Sequence, residues 1–142
     1  MSNANYRLIS LPVIQDIRGS LTPLDFQSQL GFLPKRLFMI SDVAPGTIRG
    51  EHAHRECIQA LHGVQGRIKI IIDDGRQIHE VMLENANSIL VLPAMNWATI
   101  KFLDEHSRLV VYASETYSES DYLRNYSEFI NLLNIGVSSG VQ

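Results

Sequence analysis

The sequence predicts an all-β barrel or sandwich with a single C-terminal α-helix, and three observations carry that prediction. Short runs of β-branched and apolar residues recur from Leu21 to Ala113, broken by turn residues at the roughly 8–12 residue spacing of strand-rich folds. Asp73-Asp74-Gly75 lies between two of these runs and reads as a tight hairpin, because Asp and Gly accept the positive φ that such turns need. Beyond Ser114 the apolar residues recur at about 3.6, the period of a helix.

Along the chain, strands are expected at Arg36 to Ser41, Cys57 to Leu61, Arg67 to Ile72, Ile78 to Leu83, Ser88 to Leu92, Ala98 to Phe102 and Leu109 to Tyr112. Ser120 is placed to cap the helix, and Tyr122, Leu123, Tyr126, Phe129, Ile130 and Leu133 form its apolar stripe. That stripe is expected to pack on the outside of the barrel. The segment from Asn134 to Gln142 reads as a frayed tail, which leaves residues 1–134 as one domain and 135–142 as a flexible end.

Composition narrows the function classes. A chain of 142 residues with 45% hydrophobic and 19% charged residues suits one globular domain with one core. A formal charge of -3 and no run of Lys or Arg argue against nucleic-acid binding. The start of the chain lacks a signal-peptide pattern, and no stretch is long and apolar enough to span a bilayer, so a cytoplasmic protein with no membrane partner is expected. Cys57 is the sole cysteine, so an intrachain disulfide is ruled out, and it reads as a buried thiol on a strand.

The informative stretch is Gly46-Thr-Ile-Arg49-Gly-Glu-His52-Ala-His54, continuing to Gln59 and Gly66. On a strand, His52 and His54 project to one face because side chains alternate with period two. The spacing resembles the first motif of the cupins, which implies a double-stranded β-helix barrel whose interior receives both imidazoles. Three chemistries remain open for the pair. A transition metal is one, since His-x-His is a common ligand set; but Gln59 replaces the acidic ligand, and Pro93-Ala-Met-Asn96-Trp97-Ala-Thr lacks the imidazole of the second motif. No metal is therefore assigned. Satisfied core histidines are the second. The third is proton transfer at a carbon next to a ketone, because imidazole titrates near neutrality and Arg49 can stabilise an oxyanion or grip a phosphate. Arg36 and Arg49 also read as rim salt-bridge residues.

Most of the chain resembles the sugar 3,4-ketoisomerases, which convert dTDP-4-keto-6-deoxyglucose to a 3-keto isomer for deoxyamino-sugar synthesis. The resemblance rests on Asp16-Ile-Arg-Gly-Ser-Leu-Thr-Pro23, Pro34-Lys-Arg-Leu37, Arg49-Gly-Glu-His-Ala-His54, Asp73-Asp-Gly75, Ala113-Ser through Tyr117, Asp121-Tyr122, Arg124 and Tyr126. It implies His52 as the base between C3 and C4, His54 as its partner, and Arg49 on the diphosphate, with no cofactor. Arg36, Gln59, Phe38 and Trp97 join these as candidate substrate-binding residues. The family resemblance also implies a homodimer that exchanges N-terminal strands, with which an edge strand near Leu8 to Leu11 is compatible.

Two positions depart from the family pattern. Phe38 stands where relatives carry a tyrosine, and Asn96-Trp97 stands where they read Trp followed by His or Arg. Trp97 is open to two readings, stacking on a base or sugar or filling the barrel. The departures leave an epimerase and a non-catalytic nucleotide-sugar-binding cupin as alternatives to the isomerase.

Overall fold

The computed structural model describes residues 5–141. Its strands are β1 (Arg7–Ser10), β2 (Ile14–Asp16), β3 (Gly19–Leu21), β4 (Arg36–Ile40), β5 (Ile48–His54), β6 (Gln59–Gln65), β7 (Ile68–Asp73), β8 (Ile78–Leu83), β9 (Ser88–Leu92), β10 (Trp97–Phe102), β11 (Arg108–Ala113) and β12 (Tyr122–Leu123), and the helix α1 spans Tyr126–Val141. Two sheets of five strands face one another, in the orders β1-β9-β6-β11-β4 and β12-β5-β10-β7-β8, while β2 and β3 form a separate hairpin. Among the described residues the strands of both sheets pair antiparallel, and the fold is the expected cupin-like barrel.

Alternation of side chains places the core between the sheets. Ile68, Ile70 and Ile72 of β7 meet Phe102 and Ile100 of β10, with Leu61, Leu109 and Val111 completing the cluster. The run Ile89-Leu90-Val91-Leu92 does not alternate in burial, because the N-terminal segment covers its outer face: Leu11, Leu30, Ile89 and Val91 form a second cluster there. Burial on both faces accounts for an uninterrupted apolar strand.

Three expectations are corrected. The hairpin after Asp73 is antiparallel, but its loop covers residues 74–77 instead of two residues, since Asp73 pairs with Ile78. Asp74 Oδ1 accepts from the N–H groups of Arg76 and Gln77, an Asx-type turn that stabilises the longer loop. Cys57 is buried as expected, but it lies in the loop before β6 and not on a strand.

The third correction concerns the helix start. Ser120 sits in a short 3₁₀ turn, and Tyr122 and Leu123 form a strand paired with His54 and Ala53. Pairing to β5 and full burial of Leu123 outweigh the local helical period. The helix begins instead at Tyr126, where Asn125 Oδ1 accepts from the Glu128 N–H at 3.0 Å as an N-cap. Its stripe packs outside the barrel as expected, Phe129 and Ile130 against Trp97, Met95 and Leu123. Helical backbone continues to Val141, through the segment read as a tail. No helix among the described residues is long and apolar enough to cross a membrane.

Candidate active site

The histidine strand owes its geometry to a bulge. Gly50 and Glu51 both adopt positive φ, 83° and 59°, and the pairing of β5 with β10 slips between Ala98 and Thr99. Residues directly opposite in an antiparallel ladder share a face. Ala98 pairs with His52 and Ile100 pairs with Arg49, so the extra residue brings Arg49 onto the same inner face as His52, where strict alternation would separate them. Glycine is needed at position 50: a Cβ there would lie 3.0 Å from the Ala98 carbonyl oxygen, in a left-handed backbone.

This face opens on a cleft of about 220 Å³ bounded by Phe38, Arg49, His52, Gln59, Tyr122 and Arg124, among others. Behind it lies a small pouch walled by His52, His54, Cys57, Gln59, Asn96 and Ala98. The two share Gly50, His52, Gln59, Leu61 and Ile100, so His52 borders both, while His54 lines the pouch.

His52 and His54 meet edge to face with ring centroids 5.1 Å apart, and Tyr122 closes the triangle at 5.0 Å from His52 and 4.4 Å from His54. His52 Nδ1 lies 3.1 Å from the Gly50 carbonyl oxygen. A carbonyl only accepts, so Nδ1 carries the proton and Nε2 keeps its lone pair. Burial pushes the His52 imidazolium down to about 4, with repulsion from His54 adding to it, so the ring is neutral at physiological pH.

His54 is fixed differently. Its Nδ1 stands 2.9 Å from Asp121 Oδ2, while Asp121 Oδ1 accepts from the Glu56 N–H at 2.8 Å. Burial lowers the His54 pKa despite the attraction of Asp121. For Asp121, burial pulls the pKa upward, but the hydrogen bonds from His54 and the Glu56 N–H prevail and hold it below the usual value. The carboxylate thus orients a neutral imidazole.

Of the residues expected at a site, His52, His54, Gln59, Arg49 and Phe38 come together at the cleft or its pouch. Arg36 stands beside them: its guanidinium lies 4.8 Å from the Phe38 ring centroid and donates to Tyr122 Oη at 3.4 Å, while its Nε is buried without a partner. Trp97 is the correction. It sits on the outer face of β10, neither stacked in the cleft nor filling the barrel, and packs against Tyr126 and Phe129 at centroid distances of 5.3 and 5.8 Å. The alternation of β10 explains this, since Ala98 and Ile100 hold the inner face.

Asp121, Tyr122, Arg124 and Asn96 are site residues that the sequence reading did not assign. Tyr122 was absorbed into the helical stripe; the adjacent Asp121-Tyr122 in the family pattern was the signal available. Tyr122, carried on β12, is the tyrosine that lines this cleft. Among the described residues, one group of possible metal ligands assembles: His54, Cys57 and Asp121, each with one ligand atom within 4.8 Å of the others. His52 is not part of it, so this is not a His-x-His site.

Fold and site together define a cupin-like barrel with two neighbouring imidazoles, one of them at the wall of a cleft. The family model FdtA, described as WxcM-like, C-terminal, matches residues 4–134, and the chain belongs to this family. It is 34% identical over 124 residues to the TDP-4-oxo-6-deoxy-alpha-D-glucose-3,4-oxoisomerase of Aneurinibacillus thermoaerophilus, covering 87% of this chain and 88% of that one. A 3,4-ketoisomerase from Helicobacter canadensis superposes with a TM-score of 0.88 at 32% identity, covering 92% of this chain and 98% of the other. The 3,4-ketoisomerase QdtA from Thermoanaerobacterium thermosaccharolyticum, a histidine-to-asparagine variant in complex with TDP-4-keto-6-deoxyglucose, superposes with a TM-score of 0.86 at 31% identity, covering 89% and 92%.

Proposed function

We propose that this sugar 3,4-ketoisomerase converts a dTDP-linked 4-keto-6-deoxyhexose to its 3-keto isomer, with His52 as the base, in deoxyamino-sugar synthesis. The observation that carries the reading is the neutral His52 imidazole, its tautomer set by the Gly50 carbonyl, at the wall of a cleft that also presents Arg49. The relatives support the substrate class, since one is named for a TDP-4-oxo-6-deoxyglucose and another is complexed with TDP-4-keto-6-deoxyglucose.

In the proposed reaction His52 Nε2 takes the proton from C3. The electron pair moves into a C3–C4 double bond, and charge develops on the C4 oxygen as an enediolate. Tyr122, within the same cleft, can hydrogen-bond that oxygen, and the nearby cationic Arg124 lowers the energy of the developing anion. His52 then returns the proton to C4 while the C3 hydroxyl proton passes to the C4 oxygen, which leaves a carbonyl at C3 and a hydroxyl at C4: the 3-keto product. Electrons are conserved within the sugar, so no redox cofactor enters. His54 serves as the polar partner of His52, Gln59 contacts the sugar, Phe38 and Arg36 wall the cleft, and Arg49 grips the diphosphate.

The reading includes a homodimer with exchanged N-terminal strands. Its support is the edge position of β1 together with outward-facing Leu8, Ile14, Ile17 and Leu21, an apolar set unusual for free surface. The free, buried Cys57 thiol is compatible with a reducing, cytoplasmic setting. The test is incubation of purified protein with dTDP-4-keto-6-deoxyglucose and identification of the product by NMR. A 3-keto sugar is the expected outcome; an inverted 4-keto sugar would make the protein an epimerase, and binding without conversion a non-catalytic module.

A further inference from the structure

The pouch behind the cleft contains two buried acceptors with no protein donor. His54 Nε2 and Asn96 Oδ1 are both shielded from solvent and lack a hydrogen-bond partner, and both residues line this pouch. Neither atom can satisfy the other. His54 Nδ1 bonds the ionised Asp121, which only accepts, so the proton is on Nδ1 and Nε2 is a lone pair. Asn96 Nδ2 donates to the carbonyls of Pro93 and Ala94 at 3.2 and 3.3 Å. Turning that amide over would set its oxygen against two carbonyl oxygens, so Oδ1 stays an acceptor.

Buried acceptors left unpaired are costly, so the pouch calls for a molecule with two protons to give. A sugar hydroxyl has one. Water has two, and the free volume of about 10 Å³ matches the roughly 10–15 Å³ that the centre of one water needs. We propose that one buried water sits in this pouch, donating to His54 Nε2 and to Asn96 Oδ1, and that Asn96 is thereby a positioning residue for the histidine pair. The chain Asp121–His54–water–Asn96 holds the His54 ring at both nitrogens and keeps it neutral. A neutral His54 spares His52 a second positive charge 5.1 Å away, ring to ring. The catalytic consequence rests on the isomerase reading; the water site itself does not.

The test is a high-resolution crystal structure of the ligand-free wild-type protein, joined to ¹⁵N NMR of its histidines and of Asn96→Leu. The expected result is a water about 2.7–3.2 Å from both atoms and a His54 Nδ1–H tautomer whose Nε2 shift is that of a hydrogen-bonded acceptor. In Asn96→Leu that shift moves to the unbonded value, and kcat falls about tenfold with KM within about twofold. A dry pouch, a water reaching only one of the atoms, an Nε2–H tautomer, or His54 shifts unchanged in Asn96→Leu would each overturn the proposal. If Asn96→Leu does not fold, the wild-type structure and tautomer still decide. A bound water in a protein that fails to turn over the keto sugar would refute the isomerase reading and leave the water site standing.

Discussion

His54 Nδ1 and Asp121 Oδ2 lie 2.9 Å apart although 67 residues separate them, joined because β12 adds to the edge of β5 immediately after the Asp121 turn. The contact fixes which nitrogen of His54 carries its proton. Asp121→Asn keeps the shape, but its amide nitrogen can donate to Nδ1 and drive the proton to Nε2. The expected outcome is a tautomer change visible by ¹⁵N NMR and a kcat lowered about ten- to hundredfold, roughly 1.4–2.7 kcal/mol. An unchanged tautomer and kcat would remove Asp121 from the positioning of the pair.

The depressed histidine pKa values set the pH response. His52 titrates near 6.5 in the unfolded chain and at about 4 in the folded protein, and His54 shifts in the same direction. Between these values the unfolded state binds more protons, so this contribution makes stability fall as pH drops from about 6.5 to about 4, and it is flat above. The base form of His52 persists over the same interval. Thus kcat measured against pH should be level through neutrality and decline only towards about 4; a limb centred near 6.5 would show that substrate-bound His52 is not desolvated as the free site implies.

Trp97 packs against the helix and is not among the residues that line the cleft. Trp97→Ala removes the ring between β10 and Phe129, a loss of about 2–4 kcal/mol in unfolding free energy. Nucleotide affinity, measured by calorimetry, should stay within about twofold. A large loss of affinity in a folded variant would restore Trp97 to the binding site.

Phe38 borders the cleft, half-buried beneath the Arg36 guanidinium. Phe38→Tyr should therefore place its hydroxyl in open space, with a change below about 1 kcal/mol in stability by denaturant titration. A variant that fails to fold would show that Phe38 is core.

The sequence made the barrel legible because β7, β9 and β10 alternate or run apolar over their whole length, and local pattern coincides with burial there. It made the His52 and His54 pair legible for the same reason. Arg49 joins them on the inner face only through the bulge at Gly50 and Glu51, a slip in register that period-two reasoning does not contain. Tyr122 and Leu123 fit a helical stripe locally, and only pairing with residues of β5 far away in sequence makes them a strand. Asn96 stands out in the sequence only as a departure from the family pattern: the role proposed for it comes from which atoms share a pouch, a property of the folded chain. Trp97 was misread because one residue of register decides whether a side chain on β10 faces the cleft or the helix.

The most direct test of the account is proton NMR of dTDP-4-keto-6-deoxyglucose in D₂O with the wild-type protein and with His52→Asn. Wild-type protein should yield the 3-keto sugar. His52→Asn should give neither product nor deuterium at C3, while binding the nucleotide within about tenfold of wild type, or about 1.4 kcal/mol. Formation of the 3-keto sugar by His52→Asn at the wild-type rate would contradict the assignment of His52 as the base.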